Sequence, residues 1–196
     1  MLVHKPTVPL FLSGCAAALA CLAAVAGIAD LDLYRPTTPA HLMPGVMSQD
    51  IGAILIGLVL LALSARIARG HERLWFFWLG GLSYLAYGYA IYAFEGAMNA
   101  FFLVYLAIMS LSIWAIIAFF TRLNPDALLT EAPPRRLTAA LFFLLSAMFL
   151  MLWLMILLPA MQSQTRPDGL TINVLDLTFV LPLLVLTGVL LLQKAR

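Results

Sequence analysis

Long uninterrupted apolar runs, separated by short polar stretches, set the pattern of this chain. Six of them, 10–29, 51–69, 74–95, 99–121, 138–161 and 174–193, are each long enough to cross a hydrocarbon core about 30 Å thick, which takes roughly 20 helical residues. They are continuously apolar and do not alternate, so helices rather than barrel strands are the expected spanning form. The pattern predicts an all-α fold, an integral membrane bundle of six transmembrane helices forming a single domain over residues 1–196. The link from Gly96 to Met98 is very short, which makes the third and fourth helices antiparallel neighbours. Pro36, Pro39 and Pro44 mark the 30–49 segment as irregular, and Pro125, Pro133 and Pro134 do the same for 122–137.

Charge orients the bundle. Lys5, Arg66, Arg69, Arg73, Arg122, Arg135, Arg136, Lys194 and Arg196 fall on one side of a six-helix threading, and only Arg35 and Arg166 on the other. Basic residues stay in the cytoplasm, so both termini are expected there. Trp75, Phe76, Phe77 and Trp78 sit where an aromatic belt would. The first run has three readings. Ala24-Val25-Ala26 resembles a signal-peptidase site, and Leu12-Ser13-Gly14-Cys15 resembles a lipoprotein box. The apolar run nevertheless continues to Ala29, long enough to span, and a retained helix is the preferred reading.

Composition narrows the class. The chain is 64% hydrophobic and 10% charged, against about 25% charged residues in a soluble domain. Its net charge of +2, without a basic run, gives no reason to expect nucleic acid as a partner. The bilayer is the expected partner. Cys15 and Cys21 lie in the first run, too far apart along a helix for a disulfide.

Candidate chemistry gathers at the outer surface. The middles of the six runs hold no ionisable residue, which argues against a proton-coupled pump or a voltage sensor. Asp50, Glu95 and Asp176 sit at helix ends near Gln49, Asn99 and Asn173, with Arg35, Arg166 and His41 as possible partners. Ser48 is expected to cap the second helix, placing Asp50 in its first turn. Asn173 and Asp176 have the spacing of a capping box, and Asn99 is the expected cap of the fourth helix. Glu95 lies at a helix C-terminus, where the dipole disfavours an anion; a salt bridge to Arg35 or Arg166, or exposure, is the simplest account. At 100° per residue Gly80, Tyr84, Tyr87, Gly88, Ile91 and Glu95 share a face that should look into the bundle, with Tyr89 pointing away. Either this face packs, with Gly80 and Gly88 admitting a neighbouring helix, or it lines an outward-opening cavity. Pro182 should kink the last helix. There is no catalytic signature and no indication of a cofactor, and the scattered His4, His41 and His71 suggest no metal site.

Tyr84-Leu85-Ala86-Tyr87 and Asn99-Ala100-Phe101-Phe102-Leu103-Val104-Tyr105, together with Gln49-Asp50, Leu175-Asp176 and Leu181-Pro182, resemble a group of small uncharacterised prokaryotic multi-pass membrane proteins. The resemblance implies a prokaryotic plasma membrane and no particular activity. Three functional expectations follow. The first is a non-catalytic module binding a ligand or protein partner at its outer face through Glu95, Asn99, Asp50, Asp176, Tyr84, Tyr87, Arg35 and Arg166. The second is a passive small-solute transporter or channel. The third is an intramembrane lipid-modifying enzyme with Glu95 or Asp176 as acid or base and Arg35 or Arg166 on a head group.

Overall fold

The computed structural model describes residues 2–124 and 134–193. Their secondary structure is helical, with one isolated β-bridge. The chain divides into two compact units, Met1–Leu128 and Leu129–Arg196. The first holds α1 (Thr7–Ala29), α2 (Met43–Ala68), α3 (Trp75–Phe94) and α4 (Phe102–Phe120). The second holds α5 (Arg135–Ser163) and α6 (Leu170–Gln193). Five of these helices, all but α3, are long and apolar enough to cross a membrane.

In the first unit α1 packs along α2 and α4 and touches α3, while α3 packs against α4 and α2. Small residues make this possible. Ala16, Ala17, Ala20, Ala23, Ala24 and Gly27 are buried along α1, so neighbouring backbones approach closely. A Cβ at Gly57 of α2 would sit 2.6 Å from Cys21 Sγ and 3.1 Å from the Ala17 carbonyl. The two cysteines are free.

α2 begins at Met43, not near residue 51. Pro44 lies in its first turn, where a missing N–H is harmless and the fixed φ suits a helix. The 30–49 segment is therefore ordered for most of its length. It makes short 3₁₀ turns at Leu31–Leu33 and Ala40–Leu42, then enters α2. Ser48 is inside the helix, its hydroxyl bonded back to the Gly45 carbonyl at 2.8 Å, and does not cap it.

α3 stops at a glycine. Gly96 has a φ of +72°. Ala97 N–H reaches the Tyr92 carbonyl at 3.0 Å and Gly96 N–H the Ala93 carbonyl at 3.3 Å. That paired closure ends a helix on a left-handed residue, and it turns the chain at once into α4.

The other end of the first unit is tied by the N-terminal residues. Val3 pairs with Leu123 in an antiparallel bridge. His4 N–H donates to the Arg122 carbonyl at 2.9 Å, and Asn124 N–H to the Leu2 carbonyl at 2.8 Å. Leu2 N–H donates to Glu72 Oε2 at 2.9 Å. Lys5, with a φ of 50°, turns this strap into α1. One helical turn inward, Trp78 Nε1 donates to Ser13 at 3.0 Å and to Ser64 at 3.2 Å. The starts of α1 and α3 and the ends of α2 and α4 are thus joined at one end.

In the second unit, α5 and the latter part of α6 pack together, and a Cβ at Gly188 would lie 2.9 Å from the Phe143 ring. α5 starts at Arg135, so Arg135 and Arg136 are helical rather than part of a loop. α6 starts at Leu170 and carries a π-helical turn over Asp176–Val180 before Leu181–Gln193. The wide turn precedes Pro182, which has no N–H for the Thr178 carbonyl, so the irregularity expected there takes the form of a changed helical pitch. Pro125, Pro133, Lys194 and Arg196 lie outside the described residues.

Candidate functional site

The early start of α2 moves Asp50 into its third helical turn. The reading that placed this residue in the first turn, stabilised by the helix dipole, is overturned; the middles of the helices still hold no ionisable residue among those described. Asp50 is 2% exposed. Its two carboxylate oxygens each accept a phenol: Tyr34 donates to Oδ2 at 2.8 Å and Tyr92 to Oδ1 at 3.1 Å. An isolated carboxylate in an apolar interior would be very costly, and hydrogen bonds are what make such burial tolerable. Among the described residues no Lys, Arg or His forms an ion pair with it.

Aromatic rings close over the pair. Tyr92 stacks on Tyr34 at 5.9 Å and on Tyr105 at 4.9 Å between centroids, and Tyr89 lies 5.7 Å from Tyr92 and 5.8 Å from Tyr105. Offset rings at such separations attract one another. Tyr89 donates to the Ala20 carbonyl of α1 at 3.2 Å. On the α1 side Gly27 supplies the room. A Cβ there would strike the Tyr34 hydroxyl and come within 2.5 Å of Asp50 Oδ2.

Tyr34 comes from the segment between α1 and α2, which it anchors from within. Asn99 holds the same segment from the α3–α4 turn. Its Nδ2 donates to the Leu33 carbonyl and to the Tyr105 hydroxyl, both at 3.2 Å. Its Oδ1 accepts Phe101 N–H at 2.9 Å, so Asn99 shapes the turn ahead of α4 and does not cap the helix, which begins at Phe102. The 30–42 segment is in effect a lid pinned by Tyr34 and Asn99. Burial above all, then the neighbouring Tyr92 phenol and the Asp50 carboxylate, push the Tyr34 phenol well above its ordinary pKa.

The tyrosine face of α3 needs correction. Its fully buried stripe is Trp78, Leu82, Leu85, Tyr89 and Tyr92, spaced four and three residues apart as one helix face requires. Tyr89, expected to point away, is 1% exposed at the centre. Tyr84 and Tyr87 are only half-buried. Tyr84 faces α2, its hydroxyl 3.5 Å from Gln49 Oε1, at the limit of a hydrogen bond. Gly88 admits the Gln49 side chain, whose buried Nε2 has no partner among the described residues. Gly80 faces open space, and Gly81 instead meets Leu60, 3.0 Å from its Cβ position.

Glu95 follows the last turn of α3 and is half-buried. Arg35, exposed on the lid, pairs with the equally exposed Asp32 three residues before it, and so is not the expected partner of Glu95. Arg166 and Asp176 belong to the second unit. There Asp176 accepts Trp153 Nε1 of α5 at 3.0 Å. Asn173 is buried inside α6, which starts at Leu170, so the capping box proposed for it and Asp176 is not formed. Asp50 and Asn99 therefore meet in one network, completed by Tyr34, Tyr92 and Tyr105, none of which the sequence reading had singled out as site residues. Among the described residues no three His, Cys, Asp or Glu side chains gather as a metal site would require. No family model, no curated protein and no solved structure matches the chain.

Proposed function

We propose that this protein is a non-catalytic multi-pass module of a prokaryotic plasma membrane, with six spans and both termini in the cytoplasm, that offers its outer lid to a partner protein. The observation that carries this reading is the state of Asp50. Both carboxylate oxygens are occupied by phenols, one of them from the lid, under a stack of rings. A carboxylate held that way acts as an anchor post. It fixes the lid's shape and leaves Arg35 and Asp32 displayed on its surface. General acid or base work would require it to reach a substrate proton.

Support for a crossing by α3 comes from the strap. Residues 2–4, Glu72 and residues 122–124 meet at one end. An even number of crossings must therefore separate each from the next. With α1 and α2 supplying two, and α4 taken as a span by its length and hydropathy, the same count asks α3 to cross with it. The 20 residues of α3 rise about 30 Å, enough for the core. Its four tyrosines and three glycines lower its hydropathy, and two of those tyrosines, Tyr89 and Tyr92, are buried within the bundle. The joined end also carries Lys5, Arg66, Arg69, Arg73 and Arg122, the side that stays in the cytoplasm.

Site-specific photocrosslinking tests the reading. A photoreactive residue replacing Arg35 is expected to trap one discrete protein in cells, and the adduct should disappear when Tyr34→Ala releases the lid. Solute flux through proteoliposomes that depends on Asp50 would instead make the protein a passive transporter and overturn the proposal.

A further inference from the structure

The joined end of the first unit carries a second feature, independent of the lid. Lys5, Arg66, Arg69 and Arg73 are all exposed there. Among the described residues their side chains form no ion pair and no hydrogen bond. Arg122 differs: its guanidinium folds back on the Ala118 carbonyl at 3.2 Å and serves the end of α4. Among the described residues the acid at this end is Glu72, which accepts Leu2 N–H. The strap thus has two effects. It holds Lys5 beside the ends of α2 and α4, and it engages the Glu72 carboxylate. Directly beside the cations, Phe76 and Phe77 at the start of α3 are 58% and 70% exposed. Four cations without an ion-pair partner among the described residues, next to exposed aromatic rings at the end of a membrane bundle, match the layering of a lipid surface, with phosphates outside and acyl chains within.

We propose that this end binds anionic phospholipid head groups, with Arg66, Arg69, Arg73 and Lys5 around the phosphates and Phe76 and Phe77 against the upper acyl chains. Bidentate guanidinium–phosphate pairing makes the three arginines the stronger holders.

The full chain, purified in a mild detergent and exposed to equimolar phosphatidylglycerol and phosphatidylcholine, is read by native mass spectrometry. Retention of phosphatidylglycerol is expected to exceed that of phosphatidylcholine by tenfold or more, on the order of fivefold per engaged cation. It should fall as salt rises. The triple variant R66Q/R69Q/R73Q should lose most of the preference while Arg35→Gln, at the opposite end, keeps it. If the triple variant does not fold, Arg69→Gln alone and the salt titration of the unaltered protein carry the test. Equal retention of the two lipids, an unchanged preference in a folded triple variant, or displacement by millimolar inorganic phosphate as effective as by phosphatidylglycerol would overturn the proposal.

Discussion

The Tyr34 hydroxyl donates to Asp50 across 2.8 Å, and neither residue is more than 2% exposed. A loop residue and a helix residue 16 positions apart are thereby joined inside a bundle. The lid is as firm as that contact, with Asn99 as its second fastening.

Removing one hydroxyl should loosen the lid without unfolding the unit. Tyr34→Phe is expected to cost about 0.5–1.5 kcal/mol, the range of single polar contacts in membrane bundles. Asp50→Ala leaves two buried phenols without their acceptor and should cost about 1–3 kcal/mol. Unfolding in mixed micelles gives both values, and a smaller loss for Asp50→Ala than for Tyr34→Phe would contradict the network.

Two glycines of α1 should respond in opposite ways. Gly27→Ala places a methyl on the Tyr34–Asp50 contact, and overfilling of this kind costs about 1–3 kcal/mol. At Gly14 a Cβ meets nothing within 4 Å, so Gly14→Ala should be neutral or stabilising by up to about 1 kcal/mol through helix propensity. The difference between the two variants is the measurement, and equal effects would sink the account of Gly27.

Alkali should release the lid. The pKa of Tyr34 is raised in the fold, so the contribution of its neutral phenol is complete below the ordinary value of about 10. It diminishes as pH climbs beyond that, because the open state then gives up its proton first. Labelling of a cysteine placed at Tyr34's neighbour Thr37 should accelerate above pH 10, and less so in Tyr34→Phe.

The crossing of α3 is open to direct labelling. In a background without Cys15 and Cys21, cysteines at Thr37 and Ala100 should react with an impermeant maleimide in intact cells. A cysteine at His71 should react only after permeabilisation. Labelling of positions 71 and 100 from the same side would mean that α3 does not cross.

Much of the helical framework was legible because lipid imposes one simple demand, continuous apolar helix of sufficient length. The six apolar runs all became helices, five of them long and apolar enough to cross a membrane. Their polar ends were less legible. Ser48 looks like a cap by its chemistry, yet Pro44 was the better marker of where α2 starts, and the eight-residue difference moved Asp50 from rim to interior. The buried stripe of α3 was present in the spacing of Trp78, Leu82, Leu85, Tyr89 and Tyr92. The face expected through Gly80, Tyr84, Tyr87 and Glu95 lies more than a quarter circle away from it. Tyr34 had no local signal. Its role arises from a contact with α2 that only the closed bundle creates, and Asn99's hold on Leu33 is of the same kind.

The Val3–Leu123 bridge also imposes an order on biosynthesis. Val3 must wait for Leu123 to be made before its partner exists, an interval of roughly 6–24 s at ordinary translation speeds. Throughout that time residues 2–4 have to stay unclaimed by other proteins, on the side where the end of α4 will emerge, until it closes the knot.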